Sequence, residues 1–104
     1  MRRAVLVTVS GEVQDIDLDS RVGALVFRGL RHDLGAMLTA WHAADADTVN
    51  PVASRIVSRM YADDARTLTG DVVFAGVDDA DGIVRPVAAG WEKNIRRVAE
   101  HMRR

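Results

Sequence analysis

Three histidines and fifteen carboxylates are the groups in this 104-residue chain that could move protons or hold an ion. His42, Asp45 and Asp47 fall within six positions, and His32 with Asp33 forms a second pair. An ion site needs at least three ligands that converge, and no regular element presents His-x-x-Asp-x-Asp on one face. The spacing predicts a polar loop after a buried Trp41, with no metal. His101 falls where the last turn of a helix is expected, and a cation there complements the helix dipole. Asp78, Asp79, Asp81 and Gly82 have the look of a calcium loop. With Gly82 at the sixth loop position, however, the first and twelfth become Val77 and Ala88, which cannot ligate. These carboxylates are expected to keep a hairpin tip solvated.

Ser10, Ser20, Ser54 and Ser58 lie outside any G-x-S-x-G context, and neither glycine-rich phosphate-binding pattern occurs. Lys93, the single lysine, is expected on an exposed helix face, which gives no basis for Schiff-base chemistry. A carboxylate pair of the glycosidase kind stays open, because separation is a property of the fold. Nothing in these patterns proposes catalysis or a cofactor.

Arginine supplies thirteen of the fourteen cationic side chains. That bias fits a GC-rich genome better than a demand for bidentate anion binding. Arg28, Arg31, Arg55, Arg59 and Arg66 nevertheless make a candidate ligand set. Two come from one predicted helix and two from another that would face it, and convergence in a concave pocket would suit a nucleotide-type phosphate. Near the C-terminus, Lys93, Arg97 and Arg104 fall close to one line along a helix, with Arg96 and Arg103 beside it. Such a stripe could sit on phosphates. Against nucleic acid, the net charge is -1, no aromatic interleaves the arginines, and no helix-turn-helix pattern precedes them. A solvated helix face is the expectation.

These groups must be positioned by a small scaffold. A chain this long buries roughly two thirds of its unfolded surface, enough for one core and not for two, so residues 1–104 are expected to form a single domain. With 48% hydrophobic residues, 28% charged residues and no cysteine, disulfide scaffolds, thiolate-held metals and thiol nucleophiles are excluded. The apolar runs are far shorter than the ~20 residues that span a bilayer. Arg2 and Arg3 resemble the start of a signal peptide, but Ser10, Gly11 and Glu12 interrupt it too soon. A cytoplasmic location is expected.

Arg3–Ser10 is β-branched and apolar on both faces, as an interior strand would be. Gly11 and Glu12 turn the chain into Val13–Leu18, where the pattern shifts register after Val13 and predicts a bulge or a late strand start. The domain thus opens with a β-hairpin. Asp19 or Ser20 caps a helix whose spacing runs to about Asp33. For Ala36–His42 two readings stand: Leu34, Met37, Leu38 and Trp41 match helical spacing, whereas Gly35 would cap a helix and leave a short strand. Asn50-Pro51 starts a helix, since Asn caps and proline at the first helical position loses no hydrogen bond. Val52, Ile56, Val57 and Met60 make its apolar stripe. Asp71–Gly76 reads as a central strand. Asp81-Gly82 signals a hairpin turn into an edge strand, Ile83–Val87, that tolerates Pro86. A final amphipathic helix, Ala88–Met102, buries Trp91, Ile95, Val98 and Met102. The class is α+β: a mostly antiparallel sheet with about three helices.

The motifs NPVA at Asn50–Ala53, GDVVFAG at Gly70–Gly76 and DDADG at Asp78–Gly82 resemble a family of small uncharacterised proteins of phages, plasmids and high-GC bacteria. MRRAVLVTVSGEVQDIDLD fits that family's opening strand and acidic second strand. The resemblance implies an α+β domain of about this length and favours a strand at Ala36–His42, although the family's paired glycines before that strand are missing here. It carries over no functional residue, and it implies an accessory protein of a mobile element.

Two functions follow as expectations. The first is a non-catalytic accessory module that binds a protein, either itself as a homodimer or a host partner, with a sheet edge or the Trp91 helix at the contact. The second is a module that sequesters a nucleotide-type ligand through the five arginines.

Overall fold

The computed structural model describes residues 3–17, 30–33, 38–42, 47–60, 67–77 and 84–102; for 30–33, 59–60, 77 and 84 it describes the backbone alone. Six strands and two helices fall within these residues. In chain order they are β1 (Arg3–Val7), β2 (Val13–Asp17), β3 (Leu30–Asp33), β4 (Leu38–His42), α1 (Pro51–Met60), β5 (Val72–Val77), β6 (Val84–Arg85) and α2 (Ala89–Met102). The strands form one sheet in the order β2-β1-β5-β4-β3, and every pairing is antiparallel. β6 also pairs with β5, at Gly76 and Val77, beyond the stretch of β5 that β1 occupies. The Val87 N–H donates to the Arg3 carbonyl at 3.0 Å and ties the end of β6 to the start of β1.

Strand alternation decides the layers. Val5 and Val7 of β1, Val72 and Phe74 of β5, and Leu38 and Ala40 of β4 join Val52, Ala53, Ile56 and Val57 of α1 and Ile95, Val98 and Ala99 of α2 in the main core. Both helices therefore pack on the same sheet face. Phe74 is its largest fully buried side chain. The opposite face carries Ala4, Val73 and Ala75, all fully buried, with Leu6 and Ile16 against them. β5 is apolar on both sides because it lies inside the sheet.

Asn50 organises the entry to α1. Its Oδ1 accepts the Ala53 N–H at 3.0 Å, the expected cap, while its side-chain amide donates to the carbonyls of Val7 and Gly70 at 2.9 Å each. The Asn50 N–H donates to the Leu68 carbonyl, and the Ser54 hydroxyl accepts the Leu68 N–H at 2.9 Å. Helix α1 is thus stitched to the end of β1 and to the segment that leads into β5.

The structure bears out the opening hairpin, the helix at Pro51, the central strand at Val72 and the C-terminal helix. It corrects four details. Leu30–Asp33 is a strand, so the helix predicted to reach Asp33 does not. The β1–β2 register runs through five consecutive pairs, from Arg3 opposite Asp17 to Val7 opposite Val13, with no bulge. Met102 is 40% exposed and does not extend the buried stripe of α2, whereas Ala99 does. Of the edge strand foreseen over Ile83–Val87, Val84–Arg85 is strand, Pro86 and Val87 lie beyond it, and Ile83 lies outside the described residues. The two readings of Ala36–His42 resolve as strand over Leu38–His42. The helix start at Asp19–Ser20 and the Asp81-Gly82 turn lie outside the described residues.

Candidate functional site

The β1–β2 turn, the first turn of α1 and the last turn of α2 meet around an open groove of about 350 Å³ lined by Val9, Ser10, Gly11, Pro51, Val52 and Met102. The turn closes because the Gly11 N–H donates to the Thr8 carbonyl at 3.0 Å, with Gly11 at a φ of 90° that favours glycine. The Thr8 and Ser10 hydroxyls stand 2.9 Å apart, and the Val9 N–H donates to the Asp71 carboxylate at 3.0 Å. The described lining offers apolar contact and the Ser10 hydroxyl. Val49, 50% exposed, and Met102 are the large apolar side chains exposed among the described residues.

A second polar assembly joins β1, β2 and α2. Arg3 bonds the Glu92 carboxylate, and Arg96 bonds Asp15 at 2.7 Å and lies 3.6 Å from Glu92. Arg3 also lies 3.8 Å from Asp15. Two guanidinium groups and two carboxylates alternate, which neutralises the acidic strand β2 where α2 passes it. Arg96 thereby leaves the basic stripe and becomes a fastening. Lys93 and Arg97 remain exposed on α2.

The described histidines and arginines singled out in the sequence stand on several different elements. His42 ends β4, buried to 6% exposure, with its Nδ1 3.1 Å from the Thr69 carbonyl oxygen. It is therefore a buried strand residue and not part of a polar loop. Asp47 is exposed, and Asp45 lies outside the described residues. Among the described residues no three His, Asp or Glu side chains lie close enough to share an ion. Arg31 stands on β3 and not on a helix, Arg55 is exposed on α1, and Arg59 follows on the same helix. Arg28, Arg66 and the aspartates at Asp78–Asp81 lie outside the described residues. No described helix is long and apolar enough to cross a membrane.

Two features escaped sequence reasoning. The donor role of Asn50 was hidden behind its cap role; the signal was an amide, which alone among good caps carries two N–H donors. The place of β3 at the end of the sheet among the described residues is hidden because its residues carry no strand pattern. Comparison with protein-family models, with curated proteins and with solved structures finds no match.

Proposed function

We propose that this protein is a non-catalytic accessory module, of the kind mobile elements carry, that acts by docking to a protein, a second copy of itself first among the candidates. The observation that supports this most directly is the sheet. Among the described residues its two outermost strands, β2 and β3, each pair on one side only. An open strand edge is a ready template for another strand, and proteins that do not use one normally blunt it. The groove is compatible with docking, since its described lining offers apolar contact and a hydroxyl group.

Sedimentation velocity across micromolar concentrations tests the reading. A species of twice 11.4 kDa that grows in with concentration is the expected result. An 11.4 kDa species alone at every concentration overturns self-association.

A further inference from the structure

We infer that two copies of this chain join edge to edge through β3, antiparallel about a two-fold axis at His32, so that Arg31 of each faces Asp33 of the other. The inference rests on the docking reading above and names its surface. β3 pairs with β4 by Leu30 opposite His42, Arg31 opposite Trp41, His32 opposite Ala40 and Asp33 opposite Thr39. Among the described residues nothing pairs with its other edge.

Hydrogen-bond parity limits how β3 can meet itself. In an antiparallel pair, facing residues both turn their N–H and C=O toward the partner or both turn them away. Alternate residues of β3 do each in turn, so an even-numbered position faces an even one and an odd position an odd one. Two registers then give three facing pairs within the strand. Centred on Arg31, the strand sets Arg31 against itself, a like-charge contact that destabilises. Centred on His32, it sets Arg31 against Asp33 twice, two opposite-charge pairs on one sheet face. Charge selects the second.

β2, the other edge, offers no such match. Its fullest self-pairing sets Asp15 against itself, and the register centred on Ile16 sets Asp15 against Asp17 twice. The strand contains no cation, and Asp15 already engages Arg96. No register of β2 supplies an opposite-charge pair, whereas the mixed edge supplies two. A contact that uses the same patch on both copies also closes on itself and does not propagate.

Charge reversal at β3 tests this. Arg31→Glu and Asp33→Arg each turn both opposite-charge pairs into like-charge pairs, which weakens the dimer by roughly ten- to a hundredfold. Mixed in equal amounts, the two variants regain two opposite-charge pairs, so a heterodimer forms where neither variant dimerises alone. The double variant R31E/D33R restores complementarity within one chain and dimerises like the wild type, which also guards against a single variant that fails to fold. If both single variants dimerise as the wild type does, the contact lies elsewhere: the β3 inference falls and the docking reading stands. A wild type that stays monomeric overturns the β3 inference together with self-association, and leaves docking to a different protein as the remaining form of the reading. Mass that grows past the dimer points to β2 meeting β3 in open chains and overturns the closed pairing.

Discussion

The amide of Asn50 reaches across to Val7, donating a buried hydrogen bond to its carbonyl at 2.9 Å while the Asn50 Oδ1 caps α1. One fully buried side chain thus fixes where the helix begins relative to the end of β1.

Replacing Asn50 by alanine removes the cap, worth ~1 kcal/mol, and orphans the Val7 and Gly70 carbonyls at ~1–3 kcal/mol apiece. A total loss of about 3 kcal/mol or more is expected in denaturant unfolding. Asn50→Asp keeps the cap but turns an oxygen toward those carbonyls. The protonated carboxyl is then favoured in the fold, which raises its folded pKa above the unfolded value of ~3.9. The stability of that variant should fall as pH rises through this window and recover on acidification. Melting curves between pH 4 and 7 check the sign.

Gly76 and Gly90 should respond to alanine in opposite directions. A Cβ on Gly76 would collide with the Pro86 carbonyl oxygen, a backbone atom that cannot swing aside. Gly76→Ala is expected to displace β6 and cost ~2 kcal/mol or more. Nothing lies within 4 Å of a Cβ on Gly90, in the first turn of α2. Gly90→Ala should stabilise by ~0.5–1 kcal/mol. Thermal denaturation of the pair separates the two effects.

The Arg3, Asp15, Glu92 and Arg96 assembly is partly exposed, with Glu92 the most covered at 19%. Glu92→Gln leaves Arg3 without its charged partner on α2 and is expected to cost ~1 kcal/mol at low salt. The penalty should shrink as added salt screens the charges. A double-mutant cycle with Asp15→Asn should show non-additivity, because the Arg96 guanidinium contacts both carboxylates.

Phe74 is fully buried between strands β1 and β4 on the helix face. Phe74→Ala should cost ~3–5 kcal/mol, and Ile95→Ala, from the helix above the sheet, ~2–5 kcal/mol. Chemical denaturation with an unchanged slope would show that both losses arise in the native core.

Much of this architecture is legible in residue types. Asn50-Pro51 announces a helix because a cap and a proline each solve a problem peculiar to a first turn. Val72-Val73-Phe74-Ala75 announces an interior strand because both its faces must be apolar. Leu38–His42 is ambiguous for a physical reason: Trp41 and Leu38 fall at helical spacing with Met37 and Leu34, while the strand is covered on both faces, with Thr39 and His42 buried like Leu38 and Ala40, and shows no alternation. Leu30–Asp33 was misread because one apolar residue in four carries no strand signal; pairing with β4 makes it a strand. The site was less legible still. Arg31, placed by the sequence in a helical phosphate set, instead sits on a strand, where its neighbour two positions on is Asp33.

β1 is synthesised well before β5 yet lies beside it, with Val5 opposite Phe74. The middle of the sheet therefore cannot zip until most of the chain has left the ribosome, and its formation must close a long loop before any reward arrives. Until then Val5 and Val7 await their covering, and a nascent chain halted after α1 would be a natural client for chaperones.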